Sequence, residues 1–196
     1  MQAWHIIQAT LFVAGSAAIL YVSRKPLRAP GSHGFYRFFA WEAILALAVL
    51  NLPVWFRDPF SPAQLLSWLL LIASAFLVIH GVKLLEVVGK AGTRTLDAGA
   101  ADKVAEANYT FENTSKLVRV GAYRFIRHPL YASLLYLAWG VYLKEPASLL
   151  GLGLAVSASV FLWLTARANE EECKRAFGAE YTEYMRQTRM FIPYVL

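Results

Sequence analysis

The sequence predicts an all-α integral membrane protein with five transmembrane helices. Three observations carry that expectation. Apolar residues make up 58% of the 196 positions and charged residues only 16%, against ~45–50% and ~25% in ordinary soluble domains. A chain this short has too little interior to hide so much apolar surface from water. The apolar residues also fall into five runs, three or more of them near the ~20 residues that a spanning helix needs. Finally, 17 of the 19 basic residues lie in alternate connecting segments, and only Arg57 and Lys144 lie in the others.

The elements follow in order. Ala3 to Val22 is the first apolar run. No Lys or Arg precedes it, so it reads as a retained helix rather than a cleaved signal peptide. Phe35 to Phe56 is the second and carries Glu42 inside it; Ala63 to Leu85 is the third. Pro129 to Leu143 has 15 residues, only ~22 Å at 1.5 Å per residue. Leu149 to Ala166 is the fifth run, and Lys144-Glu145-Pro146 makes a tight polar break between the last two, which read as a helical hairpin. Residues 88–128 are polar and broken by Gly89, Gly92 and Gly99, and uninterrupted loops beyond ~12–15 residues are usually functional or disordered. The division is therefore three transmembrane helices in 1–87, a loop in 88–128, the hairpin in 129–166 and polar C-terminal helices in 167–196. The positive-inside rule puts the loop and the C-terminus in the cytosol and the N-terminus outside. It also accounts for the net charge of +6 without a nucleic-acid partner. The one cysteine, Cys173, forms no intrachain disulfide, and no metal-ligand spacing, Walker loop or Gly-x-Ser-x-Gly elbow occurs.

Chemistry concentrates at Gly121-Ala-Tyr-Arg-Phe-Ile-Arg-His-Pro-Leu-Tyr131. Pro129 suits the first helical position, where its missing N–H costs nothing. His128 then lies at a helix mouth with Tyr131 three residues on, and free N–H groups there favour an anion. Taken singly, Arg119, Arg124 and Arg127 are interfacial anchors; His, Pro and Tyr together after a glycine-broken loop point to function. Beyond the fifth run come Arg167 and the acids Glu170, Glu171 and Glu172. Three successive acids spread over ~300° of a helix, so they cannot all face one ligand. Glu170 with Lys174 and Glu171 with Arg175 fit simple four-residue pairs, and Arg167 with Glu171 could bracket a zwitterion. Within the spans, Glu42 is a functional candidate by default, His80 reads as a packing residue, and Lys83 and Glu86 snorkel to the surface. Tyr181 and Tyr184 share a face beyond Gly178 and read as an interfacial clamp.

Gly-x-Tyr-x-x-x-Arg-His-Pro-x-Tyr at 121–131, the acids after the last span, Phe-Gly-x-x-Tyr-x-x-Tyr at 177–184 and Arg189…Pro193 together resemble the isoprenylcysteine carboxyl methyltransferase family. Phospholipid N-methyltransferases belong to the wider group. The resemblance covers residues 115–193. It implies an S-adenosylmethionine site formed by the cytosolic loop and the C-terminal helices. Leu117, Val118 and Tyr123 would line the adenosine pocket, and His128, Pro129, Leu130 and Tyr131 would hold the cofactor. Glu170 or Glu171 would meet its ammonium, with Arg167 facing the substrate. The substrate would be a lipophilic or lipid-linked molecule entering from the membrane lipids. A carboxylate acceptor is ionised at neutral pH and needs no base, which favours it over an amine. A membrane reductase using NADPH and a non-catalytic membrane component are the alternatives. The topology makes a direct expectation: a cysteine engineered within residues 95–110 stays unlabelled by an impermeant thiol reagent added outside intact cells, and labelling there would refute it.

Overall fold

The computed structural model describes residues 2–89 and 117–194; the centre of the 88–128 loop, residues 90–116, lies outside the described residues. Helices α1 (Gln2–Ser23), α2 (His33–Asn51), α3 (Pro62–Leu84), α4 (Pro129–Tyr142), α5 (Leu149–Phe177) and α6 (Ala179–Gln187) follow one another. Among the described residues there is no strand. Four stretches are long and apolar enough to cross a membrane: Trp4–Ser23, His33–Val54, Pro62–Gly89 and Leu149–Phe177. The expected fourth crossing is a 14-residue helix, α4, too short for that class.

The starts of the helices are written locally. Ser32, Ser61 and Ser148 each precede a helix and accept a hydrogen bond from the backbone N–H three residues on, which satisfies a donor that the helix cannot. His128 caps nothing with its side chain, and Pro129 opens α4. The helix α5 does not stop where the apolar run stops at Ala166. It continues to Phe177 and ends at Gly178, whose φ of +57° favours glycine.

The bundle pairs α2 with α5 and α3 with α4, with α4 also against α5 and α1 laid on α2. Its seams are built from small residues. Ala40, Ala132, Ala138, Ala155, Ala158 and Ala166 are fully buried, so backbones approach closely, as packing within lipid requires. Leu47, Val141 and Leu162 fill the spaces between them. Polar side chains stitch the same seams: Asn51 Nδ2 donates to the Val141 carbonyl at 3.1 Å, Ser67 Oγ to that of Gly140 at 2.6 Å, and Gln8 Nε2 to that of Val49 at 2.9 Å. Outward faces carry exposed Leu65, Leu69, Ile72 and Phe76 on α3 and Val156, Val160 and Trp163 on α5, the surface that lipid covers.

Two glycines separate contact with protein from contact with lipid. A Cβ on Gly140 would lie 3.0 Å from Leu71 Cδ2 and 3.3 Å from the Ser67 carbonyl oxygen, whereas one on Gly153 would meet nothing within 4 Å. Gly140→Val is therefore expected to cost ~1–3 kcal/mol by overpacking the α3–α4 seam and to lower the unfolding temperature in detergent. Gly153→Val leaves that temperature unchanged; equal effects would show that the seam is not there.

Candidate functional site

The site is assembled where α4 begins. Gly121 opens a short 3-10 turn, Gly121–Arg124, with φ +59°. A Cβ there would sit 2.5 Å from His80 Nε2. His80 itself stacks on Phe76 with ring centroids 5.5 Å apart, so this histidine seats the turn against α3, as the packing expectation holds. The next residues run alongside the C-terminal tail. Arg127 N donates to the Arg189 carbonyl at 2.7 Å, His128 N to that of Met190 at 3.2 Å, and Arg189 N to that of Phe125 at 3.1 Å. This pairing, centred on an isolated parallel bridge between Ile126 and Arg189, fixes the entry to α4.

Arg127 then ties three pieces together. Its Nε donates to Glu170 Oε1 at 2.8 Å, and its Nη1 donates to the carbonyls of Met185 and Thr188. Glu170 is buried on α5, and His128 Nε2 faces the same Oε1 at 3.5 Å. The three acids, spread around the helix as expected, each have a different partner. Glu170 takes Arg127. Glu171 is exposed and pairs with Lys174, three residues on, rather than with Arg175. Glu172 reaches the fully buried His33 of α2, with Oε2 2.5 Å from Nδ1 and Oε1 accepting from the His33 backbone N–H at 3.3 Å.

Between these pieces lies a cavity. Of the residues that the family resemblance singles out, Leu117, Val118, Tyr123, His128, Leu130 and Tyr131 line it together. Pro129 is buried just behind it at the helix start, Glu170 lies behind His128 and Arg127, and Glu171 projects away. Arg167 is exposed, with its guanidinium over the Trp163 ring at 5.9 Å.

Sequence reasoning missed the opposite wall. Asn169, Cys173 and Phe177 line the cavity in four-residue steps that put them on one face of α5, and Tyr181 and Tyr184 line it from α6, beyond the break at Gly178. The signal was present but masked by the adjacent acids. Tyr181 and Tyr184 are not an interfacial clamp: both are buried, and the Tyr184 hydroxyl donates to the Tyr123 carbonyl at 2.6 Å. Burial pushes both phenols above their ordinary pKa, so they stay protonated donors. Burial also holds the His128 ring below its ordinary 6.5, outweighing the opposing pull of Glu170, so the imidazole is neutral at pH 7. Among the described residues no group of acids, histidines and cysteine is placed to hold a metal ion.

Compared with known proteins, a family model described as "protein of unknown function (DUF1295)" matches residues 22–188. No curated protein and no solved structure matches the chain.

The partners of the acids set different costs for removing each charge. Glu170→Gln leaves the largely buried Arg127 guanidinium without its counter-charge, and is expected to destabilise the protein by ~1–3 kcal/mol. Glu171→Gln, at an exposed pair, leaves the unfolding temperature within error. Thermal unfolding of the two variants in one detergent checks this, and a silent Glu170→Gln would remove Glu170 from the junction.

Proposed function

Because the chain belongs to the DUF1295 family, matched over residues 22–188, and that description names no activity, we propose one from the site: an S-adenosylmethionine-dependent integral membrane methyltransferase acting on a lipophilic acceptor. The observation that carries this reading is the meeting of Leu117, Val118, Tyr123, His128, Leu130 and Tyr131 around one cavity. These are residues that the resemblance to isoprenylcysteine carboxyl methyltransferases assigns to the cofactor. On this reading α4 is the fourth of five crossings, the N-terminus is outside, and the cavity opens toward the cytosol.

The residues present suit such a cofactor. Leu117, Val118 and Leu130 offer an apolar wall and Tyr123, Tyr131 and Tyr181 aromatic faces, the lining that an adenosine group prefers. Glu170, buried beside the lining residues Arg127 and His128, is on this reading a better partner for an ammonium than the exposed Glu171, which pairs with Lys174. When bound, S-adenosylmethionine supplies a sulfonium methyl group already activated toward a nucleophile. The protein's part is to hold an acceptor in line and exclude water, and such positioning can supply ~7–11 kcal/mol of a barrier. A carboxylate acceptor needs no base and remains the favoured substrate. The neutral His128 ring on the cavity wall gives a specific reason to keep an amine acceptor as the second reading, since an ammonium must lose a proton before it attacks. The acceptor's lipid part would enter sideways between spans.

Ligand binding tests the proposal. S-adenosylhomocysteine is expected to raise the unfolding temperature of the purified protein, and NADPH at equal concentration is not. Tyr131→Phe should weaken S-adenosylhomocysteine by ~2–12-fold, the worth of one hydrogen bond, and His128→Ala by more. Stabilisation by NADPH alone would replace the methyltransferase with a reductase, and unchanged affinity in both variants would move the cofactor elsewhere.

A further inference from the structure

A second pocket, of about 210 Å³, lies between the segment before α4 and the end of α6 with the tail that follows it, and three arginines line it: Arg124, Arg186 and Arg189. We propose that these arginines bind the phosphate of an anionic phospholipid headgroup. The inference stands independently of which cofactor the first cavity takes, because none of the three lines that cavity.

The charges are left without adequate protein partners. Arg124 and Arg189 make no ion pair among the described residues, and Arg186 pairs only with Glu183, at 3.3 Å, where both side chains are more than half exposed. Exposed pairs of this kind contribute little. Three guanidinium groups around one pocket repel one another unless an anion joins them, and guanidinium planes match phosphate oxygens with paired hydrogen bonds.

Their convergence is built into the backbone. The N–H of Arg189 donates to the Phe125 carbonyl and its own carbonyl accepts from Arg127 N, so Arg124 and Arg189 sit on two paired segments. Arg186 lies in the last turn of α6, and Arg127 holds the Met185 and Thr188 carbonyls on either side of it. The same buried guanidinium thus orders the walls of both pockets.

A lipid is favoured over a free anion by what surrounds the arginines. Phe125 and Tyr194 also line the pocket and are 46% and 82% exposed. Both are large apolar or aromatic surfaces beside the start of α4, where the chain enters its bundle. Aromatic rings and arginines together suit the headgroup zone of a bilayer. The basic residues also place this end of the molecule at the cytosolic leaflet, whose anionic lipids attract such clusters. A dissolved phosphate would use the arginines and gain nothing from the rings.

The test uses the full chain purified in a neutral detergent. Phosphatidylglycerol, inorganic phosphate and NADPH are each titrated while the unfolding temperature is followed. Phosphatidylglycerol is expected to stabilise the protein at concentrations where inorganic phosphate does not. Arg124→Gln or Arg189→Gln should weaken that effect about tenfold or more, the combined Arg124→Gln, Arg186→Gln, Arg189→Gln variant should abolish it, and Arg189→Lys should restore part of it. The combined variant should keep the parent's helical circular dichroism and its cooperative unfolding in detergent without added lipid, which shows that it is folded whatever the first cavity binds. A phosphatidylglycerol response that survives in the combined variant overturns the proposal. So does an arginine-dependent response to inorganic phosphate or NADPH that equals or exceeds the response to lipid, since the pocket would then serve a dissolved phosphate.

Discussion

The Arg127–Glu170 pair holds the candidate-site end of the molecule together. Withdrawing a guanidinium and a carboxylate from water is costly, and the cost is recovered only where geometry is fixed and the remaining donors find acceptors. Arg127 meets that condition by spending its other donors on the carbonyls of Met185 and Thr188. One side chain therefore joins the segment entering α4, the long helix α5 and the end of α6. The Arg127–Arg189 and His128–Met190 backbone bonds depend on the same placement. Glu170 can act here only because α5 runs without a break past its apolar portion to Phe177.

Four of the five expected spans were legible because lipid imposes a rule that composition alone can satisfy: a continuous apolar run with its backbone bonded internally. Their ends were less legible. The expected stop at Ala166 follows the loss of apolar residues at Arg167, but polarity does not terminate a helix. Nothing between Arg167 and Phe177 breaks one, and Gly178 with its positive φ does. At the site, the Arg-His-Pro-x-Tyr motif identified one wall of the cavity, since its residues are close in sequence. The α5 part of the other wall, Asn169, Cys173 and Phe177, follows a plain four-residue step, but the charged run beside it drew the reading outward. The Glu172–His33 contact joins residues 139 positions apart and leaves no local signal at all.

Polar residues within the bundle follow one logic. In hydrocarbon an unsatisfied polar group is expensive; Thr165 and Ser159 bond to carbonyls of their own helix, and others reach another element. Glu42, a functional candidate from sequence, accepts from Ser16 Oγ at 2.9 Å and so links α2 to α1. Lys144, one of two basic residues on the sparsely charged side, is buried rather than solvated. Its Nζ donates to Gln64 Oε1 at 2.9 Å and stands 3.8 Å from the Trp68 ring centroid, close enough for a cation–π contact. Burial lowers its pKa below the ordinary lysine value. Lys144 thereby fastens the α4–α5 turn to the start of α3, at the opposite end of the bundle from Arg127.

These two fastenings bear on why α4 is short. Fourteen residues give a helix of ~21 Å, against a hydrocarbon thickness of ~30 Å. If α4 crosses the bilayer as proposed and its Lys144 end lies at one surface, a helix of that length falls short of the other. On the proposed topology its mouth is recessed, and the polar groups there must be satisfied within the protein rather than by water. Arg127 and Glu170 do this for each other together with the carbonyls of Met185 and Thr188, and the tail after α6 runs alongside them. A recessed polar mouth flanked by lipid-facing helices is also where a water-soluble cofactor can meet a group carried by a membrane lipid. A full-length α4 would instead carry that mouth to the surface and separate the two.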